Sequence, residues 1–297
     1  VTAIRLGTRG SKLALTQTGL VADRLRAAHP GLDIEIVTIA TAGDRDQSSP
    51  LSSGEGAGWF TTAIQQALGA GEVDVAIHSY KDLPTKRPDG LVIAAVPLRE
   101  DPRDALISRH PGGLHELPRG AVVGTSSPRR EAQVREVRPD VEVRSIRGNV
   151  ETRVTKVDAG EYDAAVLALA GLRRLGIESR AGHVFGFEEM LPAPAQGALA
   201  VECRADDVRT RGLLESIDDP AIRVAVTAER VFLATIDGGC SFPAAAHAEQ
   251  FGTTLKLAGL IAVEGRIIRS KMAGPVATAG SLGRALAEEL MALGGLR

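Results

Sequence analysis

Gly71-Glu-Val-Asp-Val-Ala-Ile-His-Ser-Tyr-Lys-Asp-Leu-Pro84 is the stretch on which the fold of this chain turns. Val75, Ala76 and Ile77 form a short apolar run after Gly71, the pattern of a buried strand in a parallel sheet. The run leads into His78, Lys81 and Asp82 and stops at Pro84. In an open α/β sheet the residues just past a strand's carboxyl end face the ligand crevice, which makes Asp82 a candidate acid or base on a rigid element. The same residues also fit a solvated Lys-Asp turn, and this stretch alone does not separate the two.

The first half of that stretch has a counterpart. Gly160-Glu-Tyr-Asp-Ala-Ala-Val166 echoes Gly71-Glu-Val-Asp-Val-Ala-Ile77. Upstream, Val123-Gly-Thr125 echoes Leu6-Gly-Thr8, and Pro139-Asp-Val-Glu-Val143 echoes Asp33-Ile-Glu-Ile36. Three echoes in one order predict two α/β domains of one topology. Ser11 is placed to cap a first helix whose apolar residues are Leu13, Leu20, Val21, Leu25 and Ala28. From Ala40 to Gly58 periodicity is lost and Gly and Ser accumulate, as in a lid or an insert.

Pro97-Leu-Arg-Glu-Asp-Pro102 and Leu191-Pro-Ala-Pro-Ala-Gln-Gly197 read as linkers between the copies. The strand Leu199-Ala-Val-Glu-Cys203 is expected to return to the first domain. Two crossings imply a hinge, with a small-molecule cleft between the domains. After Pro220 a helix, three β-rich segments and a last helix predict a third, small α/β domain.

The composition excludes several classes. The chain has 297 residues, 44% hydrophobic and 24% charged, with a net charge of -2, which argues against nucleic-acid and membrane-surface binding. No apolar run is long enough to span a bilayer, and the opening Val1-Thr-Ala-Ile-Arg5 lacks a signal peptide's apolar core; a cytoplasmic protein is expected. Two cysteines, Cys203 and Cys240, are too few for a metal site or a redox pair, so no metal is expected.

Of the 35 basic residues only six are lysine, and arginine is the residue that grips carboxylates bidentately. Gly124-Thr-Ser-Ser-Pro-Arg-Arg130, Ser145-Ile-Arg-Gly-Asn149 with Arg153, and Ala170-Gly-Leu-Arg-Arg174 each place arginines just past a predicted strand. Any one of them fits a solvated helix face. The repeated placement predicts a site for an anion with several carboxylates or phosphates. No phosphate loop of the GxxxxGK type is present, so nucleotides are disfavoured.

Gly7-Thr-Arg-Gly-Ser11, His78-Ser-Tyr-Lys-Asp-Leu-Pro84, Arg99-Glu-Asp-Pro-Arg-Asp104, Gly124-Thr-Ser-Ser-Pro-Arg-Arg130, Arg147-Gly-Asn149, Pro194-Ala-Gln-Gly197, Thr227-Ala-Glu-Arg230 and Gly238-Gly-Cys240 together resemble the porphobilinogen deaminase (hydroxymethylbilane synthase) family along essentially the whole chain. The resemblance implies a transferase of porphyrin biosynthesis that joins four porphobilinogen molecules head to tail, with loss of ammonia, on a dipyrromethane cofactor held by a thioether to Cys240.

It further implies that Asp82 is catalytic and that Lys81, Thr125, Ser127, Arg129, Arg130 and Arg147 hold the cofactor. Arg9, Ser11, Arg147, Arg153 and Arg174 take substrate-binding positions, and Phe60 belongs to the lid. Ser53 and Ala57 replace lysines that related lids often carry, and Pro128 replaces an aliphatic residue. The implied protein is a monomer binding a small molecule, with no nucleic-acid or membrane partner.

Two other classes compete. One is a two-domain carboxylate-binding protein without catalysis, which has no need of Cys240 or of a third domain. The other is a cysteine hydrolase using Cys240 with His247. The expected fold class is α/β, with two similar hinged domains of periplasmic-binding-protein-like arrangement around a cleft, plus a small C-terminal α/β domain. Domain 1 comprises 1–97 and 198–217, domain 2 comprises 98–197, and domain 3 comprises 218–297.

Overall fold

A computed structural model of the chain describes residues 3–40, 61–236 and 242–296. The chain divides into two compact units, Val1–Glu100 with Ala198–Arg223, and Asp101–Gly197 with Val224–Arg297.

In the first unit, β1 (Ile4–Thr8), β2 (Ile34–Thr38) and β3 (Val75–Ser79) run parallel, while β10 (Leu199–Arg204) lies antiparallel to both β3 and β4 (Leu91–Ala95), giving the order β2-β1-β3-β10-β4. β10 is the expected return strand. The α1 helix (Lys12–Ala28) starts where Ser11 Oγ accepts from Ala14 N. Its buried stripe is Gln17, Thr18, Val21, Ala22 and Leu25, shifted from the apolar face expected, and Leu15 and Leu20 are exposed. Two polar residues are buried because each finds a partner: Thr18 Oγ1 donates to Ala14 O at 2.9 Å, and Gln17 Nε2 donates to Ser79 Oγ at 3.0 Å. The α2 helix (Thr62–Gly69) and α6 helix (Val208–Glu215) also belong to this unit.

The second unit repeats the plan. β6 (Val122–Gly124), β7 (Glu142–Arg144) and β8 (Ala164–Ala168) are parallel, and β5 (Asp104–Ser108) is antiparallel to β8 and β9 (His183–Val184), in the order β7-β6-β8-β5-β9. The three sequence echoes therefore fall on equivalent strands: β1 with β6, β2 with β7, β3 with β8. In each sheet the antiparallel fourth strand is the one that enters after a crossing, β5 after Glu100 and β10 after Gly197. The helices α3 (Pro128–Val137), α4 (Val150–Asp158) and α5 (Leu169–Arg174) follow β6, β7 and β8.

In this unit too, α7 (Pro220–Ile236), from Val224 onward, and α8 (Ala279–Leu293) cover one face of the meander β11 (Ala244–Phe251), β12 (Thr254–Val263) and β13 (Arg266–Pro275). Phe232, Leu286 and Leu290 meet Leu255, Leu257 and Ile261 there. The close approach of the two helices requires Gly283, because a Cβ at that position would lie 2.2 Å from Ala228 O.

Leu191–Gly197 ends where the chain passes from the second unit to the first, as expected of a linker, but it is a buried one: all of its residues except Ala193 are buried. Ala195 N donates to Glu229 Oε2 at 2.6 Å, and Gln196 Nε2 donates to Pro102 O at 2.7 Å and to Asp104 Oδ1 at 2.9 Å. These polar partners let the segment run inside the protein. The glycine- and serine-rich segment with Phe60, Ser53 and Ala57, and the loop carrying Cys240, lie outside the described residues.

Candidate active site

At the carboxyl end of β3 the chain leaves the sheet through a single 3₁₀ turn, Tyr80–Asp82. The turn is fixed at both ends: Tyr80 N donates to Ala198 O at 3.0 Å, Leu83 N donates to Tyr80 O at 3.2 Å, and the Leu83 side chain is buried. Asp82 is thereby presented to solvent by rigid neighbours. Its carboxylate makes no hydrogen bond or ion pair within the described residues, and Lys81 beside it is half-buried.

Asp82 lines a pocket of about 90 Å³ together with Arg9, Ser11, Gln17, Thr61 and Ser79. Arg9 and Ser11 reach it because β1 and β3 are parallel, which brings both carboxyl ends to one edge of the sheet. Sequence reasoning missed Gln17 and Thr61. For Gln17 the only available signal was a polar residue one turn before Val21, in line with the buried stripe. Thr61 is 3% exposed, and its buried hydroxyl has no hydrogen-bond partner among the described residues.

His78 also lines this pocket. It is buried, and its Nε2 lies 3.2 Å from Oε2 of the fully buried Glu202 on β10. That contact is close enough for attraction but falls short of hydrogen-bond geometry. Gln65 Nε2 donates to both carboxylate oxygens of Glu202, at 3.1 and 3.0 Å.

In the second unit the predicted residues again stand at the ends of parallel strands. Thr125 is buried after β6, and its Oγ1 accepts from Ser127 N at 3.2 Å. Ser127 caps α3 through Arg130 N, and Pro128 takes the first turn, where its missing N–H costs nothing.

Arg129 and Arg130 point inward, to Asp104 at the start of β5. Arg130 Nε and Nη2 donate to Asp104 Oδ1 at 3.2 and 2.7 Å, and its Nη1 donates to Val166 O at 2.9 Å. Arg129 Nη1 donates to Asp104 Oδ2 at 2.7 Å and to Leu191 O at 2.8 Å. Burial opposes ionisation of Asp104, but the two guanidinium groups outweigh it and hold the carboxyl well below its ordinary range. Burial likewise pulls the Arg129 guanidinium down, against the attraction of Asp104. Arg129 Nε is buried with no hydrogen-bond partner among the described residues.

Arg147 follows β7, half-buried, with no hydrogen bond or ion pair within the described residues. Gly148 after it adopts φ +110, which a side chain resists, and Asn149 Oδ1 caps α4 by accepting from Thr152 N at 2.8 Å. Arg153 Nε donates to Gly148 O at 2.9 Å, and Arg174 Nη2 donates to Gly197 O at 2.6 Å. Burial, with Asp207 nearby, pushes the Cys203 thiol up to about 11, so it stays an unreactive core residue. Among the described residues no group of His, Cys, Asp or Glu could hold a metal ion, and no helix is long and apolar enough to cross a membrane.

In the first unit, a carboxylate with no partner among the described residues thus stands beside basic and hydroxyl groups where parallel strands end. Residues 4–212 match the family model described as "Porphobilinogen deaminase, dipyromethane cofactor binding domain", and residues 223–292 match "Porphobilinogen deaminase, C-terminal domain". A porphobilinogen deaminase of Roseiflexus castenholzii is 47% identical over 99% of this chain and 97% of its own length. One of Syntrophobacter fumaroxidans is 45% identical over 99% of this chain and 96% of its own. The chain belongs to the porphobilinogen deaminase family, a family of transferases.

Among solved structures, the probable amino-acid ABC transporter extracellular-binding protein ytmK of Bacillus subtilis aligns at 12% identity, with a TM-score of 0.45 over 73% of this chain and 90% of that one. The family matches give no support to a carboxylate-binding protein without catalysis.

Proposed function

We propose that this chain condenses four porphobilinogen molecules into hydroxymethylbilane, with Asp82 as the proton-handling carboxylate and the strand-end arginines of the second unit as the holders of acid side chains. The observation that carries this reading is Asp82 itself. It is fixed at a strand end, lines a pocket with Arg9 and Ser11, and spends none of its acceptor capacity within the described residues.

In each addition a carbon–nitrogen bond of the incoming molecule breaks, ammonia leaves, a carbon–carbon bond forms and the attacked ring carbon loses a proton. Asp82 serves that sequence by stabilising positive charge as the amine departs and by accepting the ring proton afterwards. Arg9 and Ser11 orient the incoming molecule beside it. After the fourth addition, water releases the product.

The dipyrromethane, attached through a thioether to Cys240, supplies the ring carbon to which the first molecule is joined. The described residues fit a group bearing several carboxylates: Arg129 keeps a buried Nε without a partner, and Arg147 has no internal carboxylate to neutralise it. Arg129, Arg130, Arg147, Thr125, Ser127 and Lys81 are assigned to that group, and Arg147, Arg153 and Arg174 to the growing chain. Each charged hydrogen bond to it is worth about 1.5–3 kcal/mol.

The three-domain division, with 1–97 plus 198–217, 98–197 and 218–297, belongs to the same proposal, as do a monomeric working form and a cytoplasmic location. A thioether to carbon, unlike a disulfide, withstands reducing conditions. Intact mass of the purified protein tests the proposal together with a porphobilinogen assay. The expected protein is heavier than its sequence by two linked pyrrole units, releases ammonia from porphobilinogen, and loses both properties in Cys240→Ser. An active protein of unmodified mass would overturn the cofactor assignment.

A further inference from the structure

The geometry points to a second binding site in the second unit, on the face of the β11–β13 sheet turned away from α7 and α8, for a small aromatic zwitterion: a flat ring carrying one carboxylate and one ammonium group. The helices fill one face of this sheet. On the other, Leu191, Ala245 and Leu260 form a small buried cluster that covers only one end. The remainder opens into a cavity of about 360 Å³, far larger than the pocket at Asp82. That volume is at the low end for small-molecule sites and calls for a compact ligand rather than a length of chain.

The cavity has an aromatic wall. Phe187 and His247 stack with ring centroids 4.1 Å apart and planes 18° from parallel. Behind the ring, His247 Nδ1 faces Oε1 of the fully buried Glu229 at 3.6 Å, too long for a hydrogen bond. Glu229 is itself fixed by the backbone, accepting from Ala195 N at 2.6 Å and from Ala248 N at 2.8 Å. His247 Nε2 makes no hydrogen bond within the described residues. The floor beside this wall is built of Ala258 and Ala273, whose small side chains leave depth for a ring. Offset stacking on a rigid aromatic pair is the natural fate of a flat ring there.

The charges on the wall decide what the ring carries. Glu249 on β11 and Lys256 on β12 are directly opposed in register, and both line the cavity. Neither makes an ion pair within the described residues: Lys256 Nζ instead sits 4.6 Å over the Phe251 ring. The other cations of the cavity are already matched, Lys271 by Glu188 and Arg269 by Glu136. One cation and one anion are therefore left for a ligand. A carboxylate meets Lys256 and an ammonium meets Glu249, while the ring between them stacks on the aromatic wall.

Titration of the full chain with 4-(aminomethyl)benzoate, followed by calorimetry and ligand-observed NMR, tests this. Saturable binding is expected, weakened at least tenfold in Lys256→Gln and in Glu249→Gln, with benzoate and benzylamine each at least tenfold weaker on the unaltered protein. Porphobilinogen turnover is expected to be unchanged in Lys256→Gln, a partly solvent-facing substitution whose folding is checked by circular dichroism. Phe187→Ala, which also trims packing, serves as a supporting variant only. Absence of saturable binding, binding indifferent to both polar substitutions, or binding abolished by Asp82→Asn and untouched by Lys256→Gln would each overturn the site.

Discussion

Arg129 and Arg130 are neighbours in sequence, and the structure gives them different amounts of freedom. Arg130 directs three of its nitrogens to Asp104 and Val166, whereas Arg129 keeps a buried Nε without a partner. Their position past a strand was legible in the sequence, because strand, hydroxyls and Pro128 announce a helix start. Their partner was not. Asp104 lies on β5, a strand that joins the sheet antiparallel after a crossing, and no local pattern links it to residues 129 and 130.

Asp104→Asn leaves two buried guanidinium groups short of an anion and is expected to cost about 3–5 kcal/mol, measured by urea unfolding. The sign of the pH effect follows from the depressed Asp104 pKa. Its stabilising contribution is complete above the unfolded value near 3.8 and is lost as pH falls below that toward the folded value. The wild type is therefore expected to lose stability below about pH 4 more steeply than Asp104→Asn. Arg147 is the opposite case, since it has no partner among the described residues to strand. Arg147→Ala is expected to change stability by no more than about 0.5 kcal/mol while tetrapyrrole formation fails. Ordinary product yield would contradict its assignment.

The elements were legible to the degree that they are local. β3 and its echo β8 are short apolar runs after a glycine, and both prove buried, parallel and adjacent to an antiparallel fourth strand. The α1 helix was legible as an element, but its buried face was not, because Gln17 and Thr18 are admitted by hydrogen bonds that hydropathy does not record. For Leu191–Gly197 the crossing was legible but the burial was not, for a related reason. Two prolines and a glycine mark a linker, and Glu229, in a helix far downstream, supplies the acceptor that allows burial.

The pairing of α7 with α8 depends on Gly283, whose missing side chain admits the Ala228 carbonyl. Gly283→Ala is expected to destabilise the protein by about 1–3 kcal/mol or to force the helices apart, which thermal unfolding would register. An unchanged midpoint would show that this approach is not tight.

At the scale of the whole molecule, one strand plan appears in both units, with order β2-β1-β3-β10-β4 in the first and β7-β6-β8-β5-β9 in the second. The duplication was legible because each echo sits where a parallel strand meets its helix and the steric demands there are the same. What the plan positions is a set of strand ends, with Arg9, Ser11 and Asp82 in one unit and Thr125, Ser127 and Arg147 in the other, while Arg174 stands at the end of the helix that follows β8.

If that placement makes Asp82 the group that handles protons, the fold should be indifferent to its removal and the reaction should not. Steady-state porphobilinogen turnover by Asp82→Asn, measured beside its thermal unfolding midpoint, tests this most directly. The expected result is a rate at least about 10²-fold below the wild type at an unchanged midpoint. A rate within a few-fold of the wild type would contradict it.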